Sequence, residues 1–161
     1  MKLFTHQSKE FVNSLLRDGF IKNNGSVMRD EKHIKYAYER LVKYARYNVS
    51  DEFVGFPIWC WYKIETAYEN DGIKIELDVP DELALLTDYY DWGGGVLYYA
   101  ELYLNGINEI EGETLTAKES MERDFSNCVN QNMLREDIQA IIPYIKLEWV
   151  TNVEELKESV I

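Results

Sequence analysis

The sequence contains few cysteines, histidines and prolines, and it has no long hydrophobic run. Among its 161 residues are two Cys, two His and three Pro. The cysteines, Cys60 and Cys128, are too few for a disulfide framework or a zinc site, so we predict reduced thiols. No apolar run approaches the roughly 20 residues of a transmembrane helix, and the N-terminus lacks the pattern of a signal peptide. We therefore expect a cytoplasmic protein that does not associate with membranes.

Apolar and aromatic residues are abundant instead. Hydrophobic residues make up 46% of the chain and aromatic residues 14%, which is too rich for a disordered chain. The length is typical of one domain, and no linker rich in Pro, Gly or Ser divides the chain. We predict a single domain over residues 1–161.

Charge is distributed unevenly along the chain. Residues 1–50 hold ten basic and five acidic side chains, a net charge of +5, whereas the remaining 111 residues hold seven basic and 24 acidic ones, a net charge of −17. In one interpretation, the basic region lies on the acidic remainder and neutralises part of it within the fold. In the other, the acidic region presents a surface to a protein partner with a basic surface. The overall charge of −12 disfavours direct binding of nucleic acid.

The apolar pattern predicts two helices in the basic region. Ser8 precedes apolar residues at helical spacing, and Gly19 marks the end of that helix. After a turn at residues 23–26, Asp30 is placed to cap a second helix. The apolar stripe of the second helix comprises Ile34, Ala37, Tyr38, Leu41, Val42 and Ala45, and its other face carries Lys32, Lys35, Lys43 and Arg46.

Strand patterns begin at Phe56. Residues 56–64 are aromatic and branched, which predicts a strand with Trp59 and Trp61 on one face. A turn signal at residues 70–72 leads into residues 73–79, where apolar and charged residues alternate. We expect these two strands to pair as an antiparallel hairpin or to lie as near neighbours. Alternation of Ile145, Leu147 and Trp149 predicts a further strand near the C-terminus.

The remaining patterns predict helices between the strands. Residues 96–104 have a helical pattern, and Thr116 with Glu119 forms a capping-box pair ahead of a short helix at residues 117–125. Residues 137–142 begin another apolar segment. We predict an α+β fold in which two basic N-terminal helices are followed by a mostly antiparallel sheet with further helices.

The candidate pocket for a ligand or partner combines three tryptophans with two aspartates: Trp59, Trp61, Asp88, Asp91 and Trp92. Tryptophan rings stack on bases or on partner side chains, and paired carboxylates, here with Glu82 nearby, serve acid–base catalysis or a divalent cation. The alternative roles are core packing for the tryptophans and helix capping for the aspartates.

Other signals for catalysis are weak. Glycines 93–95 match no phosphate-binding loop, and we expect them to permit a close backbone approach or a kink before a helix. Cys60 lies in the aromatic strand as a small apolar residue, whereas Cys128 lies in a polar, Asn-rich loop where we expect it to be more exposed. With only His6 and His33 in the chain, a Cys–His or Ser–His arrangement is poorly supported. We predict no cofactor and no metal site, and we assign no catalytic residue.

Three segments carry a resemblance to a known family. The first is Met1-Lys2-Leu3-Phe4-Thr5 with Gln7 and a helix ending at Gly19. The second is Pro57-Ile58-Trp59-Cys60-Trp61-Tyr62, followed by Leu85-Leu86-Thr87-Asp88 and Trp92. The third is Ser120-Met121-Glu122-Arg123-Asp124-Phe125, followed by Ile138-Gln139-Ala140 and an Ile-x-x-Glu-x-Val pattern that ends at Val150.

On these segments the chain resembles the Domain of Unknown Function 3841 family of bacterial and phage proteins. It departs from the family pattern at glycines 93–95, where a bulky polar or aromatic stretch is expected. The resemblance implies a shared fold and a bacterial or phage origin, and it implies no activity and no catalytic residue.

Two hypotheses for function follow. In the first, the chain is a non-enzymatic acidic binding protein, an inhibitor from a phage or mobile element that docks on a basic nucleic-acid-binding groove of host defence machinery. In the alternative, it is a small enzyme acting on a nucleotide or NAD-like ligand, with chemistry like ADP-ribosyl transfer. In that case Trp59, Trp61 and Trp92 stack the base, and Asp88 or Asp91 orients the ribose or acts as a base.

Overall fold

The computed structural model describes residues 1–23, 31–63, 72–135 and 137–155. Its strands are β1 (Lys2–Gln7), β2 (Phe20–Ile21), β3 (Ile58–Trp61), β4 (Ile73–Asp78), β5 (Leu85–Asp88), β6 (Ile138–Ile142), β7 (Ile145–Lys146) and β8 (Val150–Glu155). Its helices are α1 (Lys9–Asp18), α2 (Lys32–Asn48), α3 (Tyr98–Leu104) and α4 (Ala117–Val129), with a π-helical segment at Asp91–Leu97 and 3-10 turns at Asp81–Leu83 and Leu147–Trp149. Within these ranges, no helix has both the length and the apolar character needed to cross a membrane.

The fold is α+β and is built on a six-stranded sheet with the order β5-β6-β3-β1-β4-β8, while β2 and β7 form a separate pair. All pairings between described strands are antiparallel. The predicted fold class is therefore confirmed.

Helical and irregular layers cover the two faces of the sheet. Because successive side chains of a strand point to opposite faces, Trp59 and Cys60 belong to different cores. Trp59 packs with α2, α3, α4 and the π-helical segment. Cys60 packs with α1, Tyr144 and Trp149 on the other face. The aromatic strand thus forms part of both cores.

Local capping signals define both ends of α1 and the start of α4 as predicted, whereas α4 continues to Val129 instead of ending near Phe125. The Ser8 side chain accepts a hydrogen bond from the backbone N–H of Phe11, and Gly19 ends α1 in the left-handed conformation with φ of 71°. The Thr116 side chain accepts from the backbone N–H of Glu119, whose side chain in turn accepts from the N–H of Thr116. Such reciprocal bonds satisfy the donors that have no partner in the first helical turn.

Of the two arrangements predicted for β3 and β4, the hairpin is wrong and the near-neighbour arrangement is confirmed. The first strand, β1, lies between them and pairs with both: Phe4 stands opposite Trp61 of β3 and opposite Glu76 of β4. The strands are near neighbours, separated by one strand. The sequence interpretation missed β1, in which Leu3, Phe4 and Thr5 are all buried and no alternation of burial marks the strand.

The strand predicted around Ile145, Leu147 and Trp149 is interrupted. Strand β7 ends at Lys146, and Leu147–Trp149 forms a 3-10 turn before β8 begins at Val150. This turn keeps Ile145 and Trp149 buried in the core beneath α1 while Leu147 is 36% exposed.

The predictions for residues 24–26, Asp30, Ile64 and residues 70–71 concern positions outside the described ranges.

Glycine at position 95 permits a close approach between the π-helical segment and α4. A Cβ atom at Gly95 would lie 2.6 Å from Oδ2 and 2.7 Å from Cβ of Asp124. At Gly94 an added Cβ meets nothing within 4 Å. The close approach expected from the glycine triplet therefore applies to Gly95.

Replacing Gly95 with alanine should destabilise the protein by about 1–3 kcal/mol, because the new methyl group overpacks a rigid contact. Gly94→Ala is the matched control, and it should leave stability unchanged or raise it slightly through better helix propensity. Urea denaturation of both variants measures the difference. Equal stability of the two variants would contradict the close contact at Gly95.

Candidate functional site

The site begins with Asp88, the last residue of β5. Its side chain is fully buried. One carboxylate oxygen, Oδ1, accepts hydrogen bonds from the backbone N–H groups of Tyr90 and Asp91, each at 3.0 Å. Asp88 therefore caps the helical segment that follows the strand, which is the capping role weighed from the sequence.

Arg135 joins the two aspartates. Its backbone N and its Nε each donate to Oδ2 of Asp88 at 3.2 Å, and its Nη2 lies 3.4 Å from Oδ1. The same Nη2 donates to Oδ1 of Asp91 at 2.8 Å. Sequence reasoning missed Arg135 because it lies 47 residues from Asp88 and carries no local motif.

The electrostatics of this cluster differ between its members. Burial raises the pKa of Asp91, the negative charge of Asp88 adds to the effect, and Arg135 opposes it. Hydrogen bonding to Asp88 raises the pKa of the Arg135 guanidinium, so the arginine remains a cation. Both aspartates thus pair with an arginine that is 58% exposed, although Asp88 itself is fully buried.

The three tryptophans take part in ring contacts on the helical side of the sheet. Trp59 and Trp92 lie 5.4 Å apart between ring centroids, and the Tyr38 ring meets both edge-on, at 6.0 Å and 5.5 Å. Trp61 contacts the ring of Tyr89 at 5.3 Å. Trp61 and Trp92 are only 7% and 5% exposed. These rings contribute to core packing, since buried aromatics carry large apolar areas.

Polar groups support this aromatic cluster. The indole N–H of Trp59 donates to the Tyr38 hydroxyl. Burial raises the pKa of Tyr38 to about 12, so the phenol stays neutral and available as an acceptor at physiological pH. Four of the five candidate residues are linked, since Asp91 bonds to Asp88 and precedes Trp92, which contacts Trp59. Trp61 contacts Tyr89, the residue after Asp88.

The expected exposure of Cys128 is wrong. Cys128 lies in α4, is fully buried, and its thiol contacts the backbone oxygen of Asp88 at 3.6 Å. Burial raises the pKa of Cys128 to about 12, and burial raises that of Cys60 to about 12 as well. Neither thiol ionises near neutral pH, so neither is an activated nucleophile.

The cluster does not assemble a recognisable metal site. Across the described residues, no group of three or more His, Cys, Asp or Glu side chains is placed to hold a metal ion. The carboxylates of Asp88 and Asp91 are used by helix capping and by Arg135 instead.

A comparison with protein families adds to this geometry. The model of a family described as a domain of unknown function (DUF3841) matches residues 2–139. The chain belongs to this family. The match includes all five candidate residues and Arg135, so the aromatic and ion-pair clusters both lie within the DUF3841 region. No curated protein and no solved structure matches the chain.

Charge on this DUF3841 protein is only partly compensated between its two regions. Among the described residues, two side-chain ion pairs join the basic N-terminal region to the acidic remainder: Lys2 with Glu76, and Arg40 with Glu122. The basic face of α2 is exposed at Lys32, Lys35, Lys43 and Arg46. Most of the acidic surface is thus left to solvent.

An acidic surface is formed by residues 98–119, here called the acidic corner, which comprises α3, the loop after it and the start of α4. It holds five glutamates and one lysine, a net charge of −4. All five glutamates are exposed: Glu101, Glu109, Glu111, Glu113 and Glu119. Three large apolar side chains are exposed beside them: Tyr98 at 51%, Leu104 at 40% and Ile107 at 48%.

Backbone hydrogen bonds hold the loop of the acidic corner in place. Ile107 N–H donates to the oxygen of Leu102 at 2.9 Å, and Ala117 N–H donates to the oxygen of Asn108 at 2.7 Å. Gly106 and Gly112 turn the chain with φ near 80°, at 81° and 80°, a conformation that favours glycine. The acidic side chains therefore project from an ordered support.

Proposed function

We propose that this DUF3841 protein is a non-enzymatic binding protein that docks through its acidic corner on the basic, nucleic-acid-binding groove of another protein. In this proposal the partner belongs to the host's nucleic-acid-handling or defence machinery. The chain, of phage or mobile-element origin and acting in the cytoplasm, inhibits the partner by occupying the groove.

One observation carries the proposal: the acidic corner combines exposed negative charge with exposed apolar side chains on an ordered loop. Clustered charge steers a basic partner towards the surface. Side chains such as Tyr98, Leu104 and Ile107 offer apolar area that is buried on contact. A pre-ordered loop also reduces the entropy lost on binding.

Charge reversal at the corner tests the proposal. Glu109 and Glu111 are exposed, and Glu109→Lys with Glu111→Lys should weaken capture of the partner from a native bacterial lysate at least about tenfold. Quantitative mass spectrometry of the captured proteins measures the loss.

The matched control is Glu10→Lys with Glu148→Lys, which changes the net charge equally. Glu10 lies on α1 and Glu148 on the 3-10 turn, both exposed on the opposite side of the sheet. The control variant should retain the partner. If both variants lost the partner equally, the overall charge and not the acidic corner would determine capture. If both variants retained the partner, docking at the acidic corner would be refuted.

A further inference from the structure

A cavity of about 480 Å³ lies where the carboxyl ends of α2 and α4 meet the 3-10 turn Asp81–Leu83 and the start of β5. It is separate from the acidic corner, which includes the opposite end of α4. Its floor is apolar, with Ala84, Leu85 and Val129 all buried. Its mouth carries the exposed carboxylates of Asp81 and Glu82.

Four features contribute negative charge around this cavity. Asn48, the last residue of α2, and Val129, the last of α4, both line it. The carboxyl end of a helix has carbonyl groups without intrahelical partners and a partial negative charge of about half a unit. The two mouth carboxylates add to these helix ends, and none of the described residues that line the cavity is a Lys or an Arg.

The two carboxylates are not equivalent. Asp81 lies 3.1 Å from the terminal ammonium of Met1, which neutralises part of its charge. Glu82 forms no ion pair with any described residue. Glu82 is therefore the acidic group with most of its charge available to a cation at the mouth.

The shape and charge together specify the occupant. A cavity of this volume is much larger than a single ion, and its apolar floor favours an aliphatic chain. Lysine and arginine side chains combine an aliphatic stem with a cationic head, and they bury the stem along apolar surface while the head pairs with a carboxylate. We propose that this cavity receives an arginine or lysine side chain of a protein partner.

The inference rests on the proposed function, since the partner with the basic groove supplies this side chain. Helix α4 has 13 residues and so spans about 20 Å. A standard interface of roughly 800 Å² per partner extends about 30 Å, which exceeds the length of α4 that separates the cavity from the acidic corner.

A model compound tests the cavity directly. N-acetylarginine amide should shift the backbone amide resonances of Val49, Leu85 and Val129 in a nuclear magnetic resonance titration of the full chain. N-acetylcitrulline amide, which has the same shape without the charge, should shift them much less. Absence of shifts, or equal shifts with both compounds, would overturn the proposal.

Two variants then test whether the Glu82 carboxylate binds the cation, and they distinguish the cavity proposal from the proposed function. Glu82→Gln should weaken binding of the arginine compound about fivefold, whereas the control Glu10→Gln should leave it unchanged. Glu82→Gln should also reduce capture of the partner; undiminished capture overturns the assignment to a partner side chain and leaves docking at the corner intact. Failure of the Glu109→Lys, Glu111→Lys test, with arginine binding retained, overturns the proposed function and with it the assignment of the side chain to that partner, but leaves the cavity as an arginine-binding site.

Discussion

Replacing Trp92 with alanine is expected to lower the free energy of unfolding by about 3–5 kcal/mol. Trp92 is 5% exposed and contacts the rings of Trp59 and Tyr38 within 5.5 Å. Removing the indole leaves a cavity between α2 and the sheet, and it also removes two aromatic contacts. Urea denaturation measures the loss, and Trp92→Phe should recover part of it.

The control is Tyr47→Ala on the exposed side of α2. Tyr47 is 90% exposed, so its removal should change stability by less than about 0.5 kcal/mol. If Trp92→Ala were as mild, the indole would not belong to the core and stacking on a ligand would be favoured.

The hypothesis of a nucleotide-dependent enzyme stays a prediction. It predicts that nucleotides raise the melting temperature of the wild-type protein but not that of the Trp92→Ala variant.

Replacing Asp88 with alanine is expected to destabilise the protein by about 3 kcal/mol. The change removes a helix cap, worth about 1 kcal/mol. It also leaves the backbone N–H groups of Tyr90, Asp91 and Arg135 without their acceptor. Unsatisfied buried donors each cost about 1–3 kcal/mol unless water replaces the partner.

Two further variants define the origin of that loss. Asp88→Asn keeps one acceptor oxygen for the cap and should be milder than Asp88→Ala. Asp18→Ala removes an exposed carboxylate whose one ion pair among the described residues is with its neighbour Arg17, and it should have almost no effect. Comparable stability of the Asp88→Ala and Asp18→Ala proteins would contradict the structural role of Asp88.

Sequence reasoning succeeded where the signals were local. The Ser8 and Gly19 caps, the Thr116–Glu119 capping box and the alternation of residues 73–79 each depend on neighbours within a few positions. The α+β class followed from these elements. The same reasoning placed Trp59 and Trp61 on one face, because the side-chain period of a strand is two.

It failed where distant segments decide the outcome. The position of β1 between β3 and β4 depends on pairing across more than fifty residues, which no local pattern encodes. Arg135 likewise meets Asp88 only through the tertiary fold. The Asn-rich surroundings of Cys128 predict a loop, whereas packing of α4 against β5 and the π-helical segment buries the residue.

In the sequence alone, the acidic corner is not distinguished from the general excess of acidic residues after position 50. Its definition depends on α3 and the loop after it, which gather five glutamates beside three exposed apolar side chains. Charge counts along the chain do not indicate which carboxylates are exposed together. The structure therefore shows which of the many acidic residues are exposed together in the acidic corner.

The central claim is that this surface binds a basic, nucleic-acid-binding partner, and salt dependence tests it most directly. The tagged protein is used for affinity capture from a native bacterial lysate at 0.1 M and 0.5 M salt, and the bound proteins are identified by mass spectrometry. The Debye length falls from roughly 10 Å at the lower salt concentration to under about 5 Å at the higher one, so charge–charge attraction is screened. We predict one stoichiometric nucleic-acid-binding protein that is retained at low salt and lost at high salt. A partner held equally at both concentrations, or an empty bound fraction at both, would contradict the account.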